Sequence, residues 1–545
     1  MNLEIIEHHQ QWVLEAFRQG EFDQIEIIGE ADEKEFFELC FREKILLKLA
    51  RQMPTARKKQ EVPLWFELAG NLSLKLHLEN SYSAFERVVQ CGGLLSAMPP
   101  GVATKHLDAQ SKELWLPCRG FNDKNSYPRK TPCDQDTLRK AVKSVAAARW
   151  QEWFNGPVQQ VFQQYGFFDP NGIFIGDGTY LFVPDNPAYE GSVVMWFDEH
   201  NHPVDYKKLS PPERQQAHRE HCYKLVSLLH VRGDCYVYAG LRLVPGNAHE
   251  CPVLYEMVET FVRAVGKGVM KLLILDRGFI DGKNIGRCKQ QWGIDVLIPM
   301  KRNLDIWEDA WALGQREPWQ SVPVTAPVPK PSVRKQPENI ARAEAKRQRT
   351  LAARRPVPDP AKTLSQHEYC WIKGFRSWTD LPVPINVLLM RDRHVDGHAQ
   401  EWALMSTRDY VQLQQPREDY GLRTKIEERH RTLKCFHDLS DFHSRSFNVI
   451  AAQVVFILLS YTLRQWQLWR LHAQQLANRS PEFIGRRLNL RKQYVVIYLA
   501  RAYAQIPLLQ FTREVLQLEG KARQKALAKV RRLEHSLLSP LDDSS

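Results

Sequence analysis

The chain has 545 residues, 43% hydrophobic and 25% charged, which is the composition of a globular protein with room for more than one domain and a large core. Its net charge of +12 is uneven: residues 1–50 carry 12 acids against 5 bases, a net −7, which leaves +19 for the rest. A basic body of that size favours a polyanionic partner such as nucleic acid. The N-terminus (MNLEIIEHHQ) shows no basic stretch followed by an apolar one, so no secretory signal is expected. The ten cysteines are scattered without a Cys-x-x-Cys, and they read as reduced thiols of a cytosolic protein.

Residues 1–165 read as a mostly helical N-terminal region. Helical apolar spacing runs through FFELCFREKILLKLA and YSAFERVVQCGGLLSAM, and Thr131-Pro132 with Asp134 caps the start of TLRKAVKSVAAARWQEWF. Such a region either binds DNA ends or forms a plain helical lid. From about 170 to 301 the pattern changes to short apolar runs. GIFIGDGTYLFV reads as a strand ending at Asp177 and Gly178, SVVMWFDEHNHPVDY as a second strand and turn, and CYVYAGLRLV as a third. CPVLYEMVETFVRAVGKG then reads as a helix, KLLILDRGF as a strand ending at Asp276, GKNIGRCKQQWG as a short helix, and IDVLIPM as a fifth strand. His218, His221, Cys222 and Cys235 come nearest to a zinc pattern, but their spacing matches no common finger and no structural zinc is expected.

Residues 302–415 read as an insertion. Its 320–360 stretch is rich in Pro, Ala and Arg with too little apolar content to pack, and EYCWIKGFRSW, PINVLLMRDR and EWALMSTRD after it read as strands. The second part of the core, 416–470, ends in FNVIAAQVVFILLSYTL. That segment holds Asn448, Gln453, Ser460 and Thr462 and is shorter than about 20 clean apolar residues, so it is expected to be a buried core helix rather than a membrane span. Residues 471–545 read as a basic helical tail. Three strands, helix, strand, helix, strand and a later helix is the order of a ribonuclease H-like fold, an α/β architecture with a mixed sheet.

The most informative segment is YGLRTKIEERHRTLK, residues 420–434. Tyr420, Arg423, Glu427 and Lys434 are spaced by three, four and seven, which puts them on one face of a helix. Chance should give that spacing of four fixed residue types about 0.005 times in a chain this long. One carboxylate flanked by two cations and a phenol suits a site that holds a metal ion and grips phosphates, although a solvated helix laced with pairs such as Arg423–Glu427 has the same spacing. Asp177 and Asp276 each follow four or more apolar strand residues and precede a glycine within two positions. Carboxylates just past buried strands project from a sheet edge, where active sites of α/β folds lie. Three acids in one pocket repel, a pair about 5 Å apart by on the order of 3 kcal/mol at an effective dielectric of 20. Divalent cations relieve this, and hard oxygen donors select Mg²⁺ or Mn²⁺ over zinc. Asp198, Asp205, Asp281 and Glu428 are weaker candidates by position.

These residues resemble the DDE transposases of the insertion-sequence type 4 group, a branch of the ribonuclease H-like, retroviral-integrase superfamily. That group carries Tyr-x2-Arg-x3-Glu-x6-Lys around its glutamate, and IGDGT and DRGF around its aspartates, as here. The resemblance covers roughly 170–465, and the long 320–360 stretch departs from it. It implies that Asp177, Asp276 and Glu427 bind two Mg²⁺ ions, with Mn²⁺ able to substitute. It also implies DNA strand cleavage at element ends and transfer of the 3′-OH into target DNA, with Arg423, Lys434 and Tyr420 on phosphates. Partners would be double-stranded DNA and a second copy of the chain, without a membrane, and the location the bacterial cytoplasm. In some relatives an aromatic residue of the insertion stacks on a flipped base, and Trp371 and Trp378 are candidates by place, although a core role suits either better. A nuclease without strand transfer and a DNA-binding repressor of transposition are the alternatives. The repressor reading predicts loss of an acid, and all three acids are present.

Overall fold

The computed structural model describes residues 7–29, 32–58, 62–85, 88–89, 93–97, 134–323, 364–489, 493–500 and 502–538. Among these, eleven strands form one mixed sheet. In chain order they are β1 (Gly172–Val183), β2 (Val193–Phe197), β3 (Pro203–Val204), β4 (His218–Arg232), β5 (Cys235–Pro245), β6 (Met270–Leu275), β7 (Asp295–Pro299), β8 (Gln320–Pro323), β9 (Leu364–Phe375), β10 (Ile385–His394) and β11 (Ala399–Ser406).

The centre of the sheet runs β5–β4–β1–β6–β7. β4 is antiparallel to β1 and β5, whereas β1, β6 and β7 are mutually parallel. The crossovers are the helix Glu250–Val265 and the short helix Gly282–Arg287, which runs on into a wider turn at Cys288–Trp292. This is the ribonuclease H-like arrangement. Two readings of the sequence need correction. The second core strand is His218–Arg232, and the expected one, around SVVMWF, is only the short β2 beside the first residues of β4. Lys224, Ser227 and His230 break the apolar pattern of β4, yet all three are buried in it. The first strand also runs past Asp177 to Val183, because β4 pairs with it from Ile173↔Val231 to Val183↔His221.

The insertion extends the same sheet. β11 pairs antiparallel with the end of β7, and β10, β9 and β8 follow outward. Most of the 320–360 stretch lies outside the described residues.

Among the described residues, no strand neighbours β5 on its outer side, and its backbone is satisfied there by side chains. Tyr236 N donates to Gln465 Oε1 and Tyr238 N to Thr462 Oγ1, both at 3.3 Å. Leu243 N donates to Gln151 Oε1, and Asn155 both accepts from Leu241 N and donates to Leu241 O, each at 2.9 Å. Buried backbone groups need such partners, which explains why polar residues sit inside apolar helices here. One of those helices, Phe447–Arg470, is long and apolar enough to cross a membrane by composition, but its most apolar window is 83% buried within the protein. It is a core helix. Trp150 and Trp153 of the N-terminal region pack on its Phe456, and Phe167 stacks on its Trp466. The N-terminal helices from Asp32 onward thus share one hydrophobic core with the sheet.

The chain ends differ from the helical description given them by their sequences. Glu7–His8 and Gln24–Gly29 join Gln493–Leu499 and Ala502–Pro507 in a second, four-stranded sheet. Helices Gln10–Arg18, Leu508–Gln517 and Gly520–Leu538 flank it, and Phe17, Phe22, Val495, Ile497 and Phe511 form its separate core. Pairing between Ile25 and Ile497 spans almost the whole chain, so no local pattern announces it.

Candidate active site

The parallel register of β1 and β6 closes with Gly176↔Leu275. Asp177 comes next within β1, and Asp276 is the first residue past the end of β6. They therefore emerge side by side at the carboxyl edge of the sheet, the place where α/β folds bind ligands. The third candidate arrives from far along the chain. Helix Gln415–Gly421 ends just after Tyr420, and a second helix, Thr424–Phe436, begins after Arg423. The single helix face read from the sequence is thus split. Arg423 N still bonds Tyr420 O at 3.0 Å and Ile426 N bonds Arg423 O at 3.2 Å, so tight turns carry the chain through the junction.

Arg423 ties the acids together. Its Nη1 donates to Glu427 Oε1 at 2.7 Å and its Nη2 to Asp276 Oδ2 at 3.0 Å. Burial works against its charge, but Asp177, Asp276, Tyr420 and Glu427 outweigh it and raise its pKa. Lys434, two turns on from Glu427, donates to Thr179 Oγ1 at 2.7 Å. Burial lowers its pKa to about 8 against the pull of Asp177. Tyr420 is half-buried, and burial raises its phenol to about 12, so it remains a proton donor at neutral pH.

Asp177 is the buried member of the acid set. Loss of solvent pushes its carboxyl up to about 7; Arg423 and the Gly178 N–H pull it down, and Asp276 and Glu427 push it up further. Behind it stands a residue that the sequence reading passed over. His430, one turn after Glu427, has its Nδ1 3.8 Å from Asp177 Oδ2 and its Nε2 2.8 Å from the Ser227 hydroxyl. Burial lowers its pKa to about 3, so the imidazole is neutral. Ser227 pairs directly with Asp177 across β1 and β4. Its spacing from Glu427 was the available signal for His430.

Among the described residues, no three His, Cys, Asp or Glu side chains converge into a ready-made cation site, and the Arg423 guanidinium stands between Asp276 and Glu427. The donor set nevertheless fits a hard divalent cation: three carboxylates, one of them buried.

Beside Asp276 lies an open cleft of about 570 Å³, lined by Arg277, Lys301, Arg302, Trp307 and Trp402 among others. Cations interleaved with aromatic rings suit a nucleic-acid strand. Trp371 and Trp378 are partly buried against the main core, Trp371 edge-on to Tyr410, which is the core role that suited them better by sequence. The weaker acids have local employment. Asp198 accepts from the His200 and His202 backbone, Asp205 and Asp281 cap helices, and Glu428 pairs with Lys425 and Arg429. His218, His221, Cys222 and Cys235 lie on β4 and β5, where Cys222 and Cys235 are buried free thiols.

One solved structure similar to this chain is described as a cryo-EM structure of a piggyBac transposase synaptic complex with hairpin DNA. The two share 10% sequence identity at a TM-score of 0.36, over 84% of this chain and 78% of that one. That similarity is too low to carry an argument. No curated protein matches the chain. The family described as "Transposase DDE domain" matches residues 177–463, which is more than half of the sequence and starts at Asp177 itself. The chain belongs to the DDE transposase family.

Proposed function

We propose that the chain cuts DNA at the ends of its own insertion sequence and joins the freed 3′-OH to target DNA, as a cut-and-paste transposase of the insertion-sequence type 4 kind. The observation that carries this reading is the adjacency of Asp177 and Asp276 on neighbouring parallel strands, with Glu427 joined to Asp276 through Arg423. Asp177, Asp276 and Glu427 would hold two Mg²⁺ ions, or Mn²⁺ in their place. Bound there, such ions activate an attacking oxygen and stabilise the leaving one in an in-line displacement.

The chain's own residues supply the rest. Water attacks the phosphorus at the element end, the bond from phosphorus to the 3′ oxygen breaks, and that oxygen takes up a proton. The 3′-OH then attacks a target phosphodiester and displaces its 3′ oxygen. Arg423 and Lys434 hold phosphates beside the acids, and Tyr420 donates its phenol hydrogen to one. Among the described residues the buried Nε–H of Arg423 has no partner, which leaves a donor for an incoming phosphate. A phosphate can also take over the guanidinium from Asp276 and Glu427, and so free both acids when DNA arrives. The cleft of Arg277, Lys301 and Arg302 continues the positive track for the flanking strand. Joining two ends calls for at least two copies of the chain on double-stranded DNA. The buried thiols suit action in the reducing bacterial cytoplasm.

The test is strand transfer. Purified protein, Mg²⁺ and a duplex ending in a pre-cut 3′-OH element end are incubated with a supercoiled plasmid. Joined products support the reading, whereas nicking without joining would make the protein a nuclease.

A further inference from the structure

The two aspartate motifs share a glycine, Gly178 in IGDGT and Gly278 in DRGF, and one side chain explains both. A methyl group on Gly178 would meet Glu250 Oε2 at 2.3 Å, and one on Gly278 would meet Glu250 Oε1 at 3.3 Å. Neither glycine has a positive φ. Their backbones would accept alanine, so space is the constraint. Glu250 is the first residue of the helix Glu250–Val265, which crosses over between β5 and β6. Its carboxylate therefore fills the gap between the β1 backbone just past Asp177 and the turn after Asp276. Lys224 on β4 holds it there. The Lys224 Nζ lies 3.5 Å from Glu250 Oε2, donates to Ala248 O at 3.1 Å, and sits 5.0 Å from the Tyr180 ring centre. A buried lysine anchored from both sides fixes the carboxylate it faces.

We propose that Glu250 is a positioning residue of the catalytic centre: its carboxylate, braced by Lys224, wedges between the Gly178 and Gly278 backbones and sets the spacing of Asp177 and Asp276. The inference rests on the transposase reading above. Metal affinity depends on that spacing, because carboxylates on two neighbouring segments must close on one cation, and supporting residues of this kind change metal affinity about 10–100-fold when removed.

The experiment measures Mn²⁺ binding to the full chain by electron paramagnetic resonance, alongside thermal unfolding. Glu250→Ala is expected to weaken Mn²⁺ binding about tenfold, and Glu250→Gln, which keeps the shape, to recover most of the loss. Gly178→Ala is expected to weaken binding comparably by expelling the wedge. The double variant Gly178→Ala with Glu250→Ala should be no worse than either alone, because both changes act through one contact. Should Glu250→Ala fail to fold, Glu250→Gln and Gly178→Ala still give the comparison. Unchanged Mn²⁺ affinity in folded Glu250→Ala or Gly178→Ala protein, or additive losses in the double variant, would overturn this inference and leave the transposase reading intact. Wild-type protein that binds no Mn²⁺ would overturn both.

Discussion

Lys434 Nζ lies 2.7 Å from the Thr179 hydroxyl, a bond between the last turn of the glutamate helix and the residue two past Asp177. It joins parts of the sequence 255 residues apart, and it holds a half-desolvated cation at the mouth of the acid site. Burial lowers the Lys434 pKa to about 8. The sign follows: the folded chain prefers the neutral amine, so the charge needed for a phosphate is present below about pH 8 and lost above it. Cleavage rate is predicted to fall as pH rises through 8. Lys434→Arg, which stays charged, should move that falling limb upward, and Lys434→Met should lower cleavage about 10–100-fold at pH 7.5. A pH–rate profile of the three proteins checks this.

Asp177 titrates in the opposite sense. Its carboxyl is raised by burial to about 7, above the ordinary carboxylate range, so the folded state binds the proton more tightly than the unfolded state does. In the presence of a chelator, stability should therefore fall as pH rises from about 4 to 7. Asp177→Asn should abolish that slope and raise the melting temperature at pH 8 by about 3 °C or more, while abolishing cleavage. Thermal melts between pH 4 and 8, with chelator and then with Mn²⁺, provide the measurement. In wild type alone, Mn²⁺ should restore the stability lost at high pH.

Arg423 serves as the counter-charge of Asp276 and Glu427 before any cation binds. Arg423→Gln is predicted to strengthen Mn²⁺ binding by DNA-free protein several-fold, since the cation no longer competes with a guanidinium. The same change should reduce cleavage about 10²-fold or more, because a phosphate contact is lost. Calorimetric titration with Mn²⁺ and a cleavage assay separate the two effects. Weaker Mn²⁺ binding in this variant would contradict the counter-charge role.

The buried edge of the sheet gives a prediction about stability alone. Asn155 makes two 2.9 Å bonds to the Leu241 backbone on β5. Asn155→Leu is expected to destabilise the protein by about 2–4 kcal/mol, because a buried N–H and C=O lose their partners. A shift in the urea midpoint reads it. An unshifted midpoint would mean that β5 finds other partners.

The sequence revealed most where chemistry and periodicity coincide. KLLILD and GIFIGD are apolar runs that stop at a carboxylate, and the register of β1 and β6 shows why both acids emerge together. The spacing from Tyr420 to Lys434 pointed to side chains that reach Asp276 through Arg423 and Thr179 through Lys434, although a turn at Leu422 divides the helix. The missed elements are those whose logic is non-local. In β4, Lys224, Ser227 and His230 look like interruptions until Glu250, His430 and the Ile173 carbonyl are seen to meet them. The terminal sheet pairs Gln24–Gly29 with Gln493–Leu499, a partnership that neither segment signals by itself.

The central claim is that Asp177, Asp276 and Glu427 form one DNA-cutting site. The direct measurement incubates a labelled duplex bearing the element's own ends with Mg²⁺ and either wild-type protein or Glu427→Gln, with binding followed in parallel. The account predicts nicking that leaves a 3′-OH, requires the metal, and vanishes in the variant while DNA binding persists. Equal cleavage by the variant, or binding without cleavage by both proteins, would contradict it.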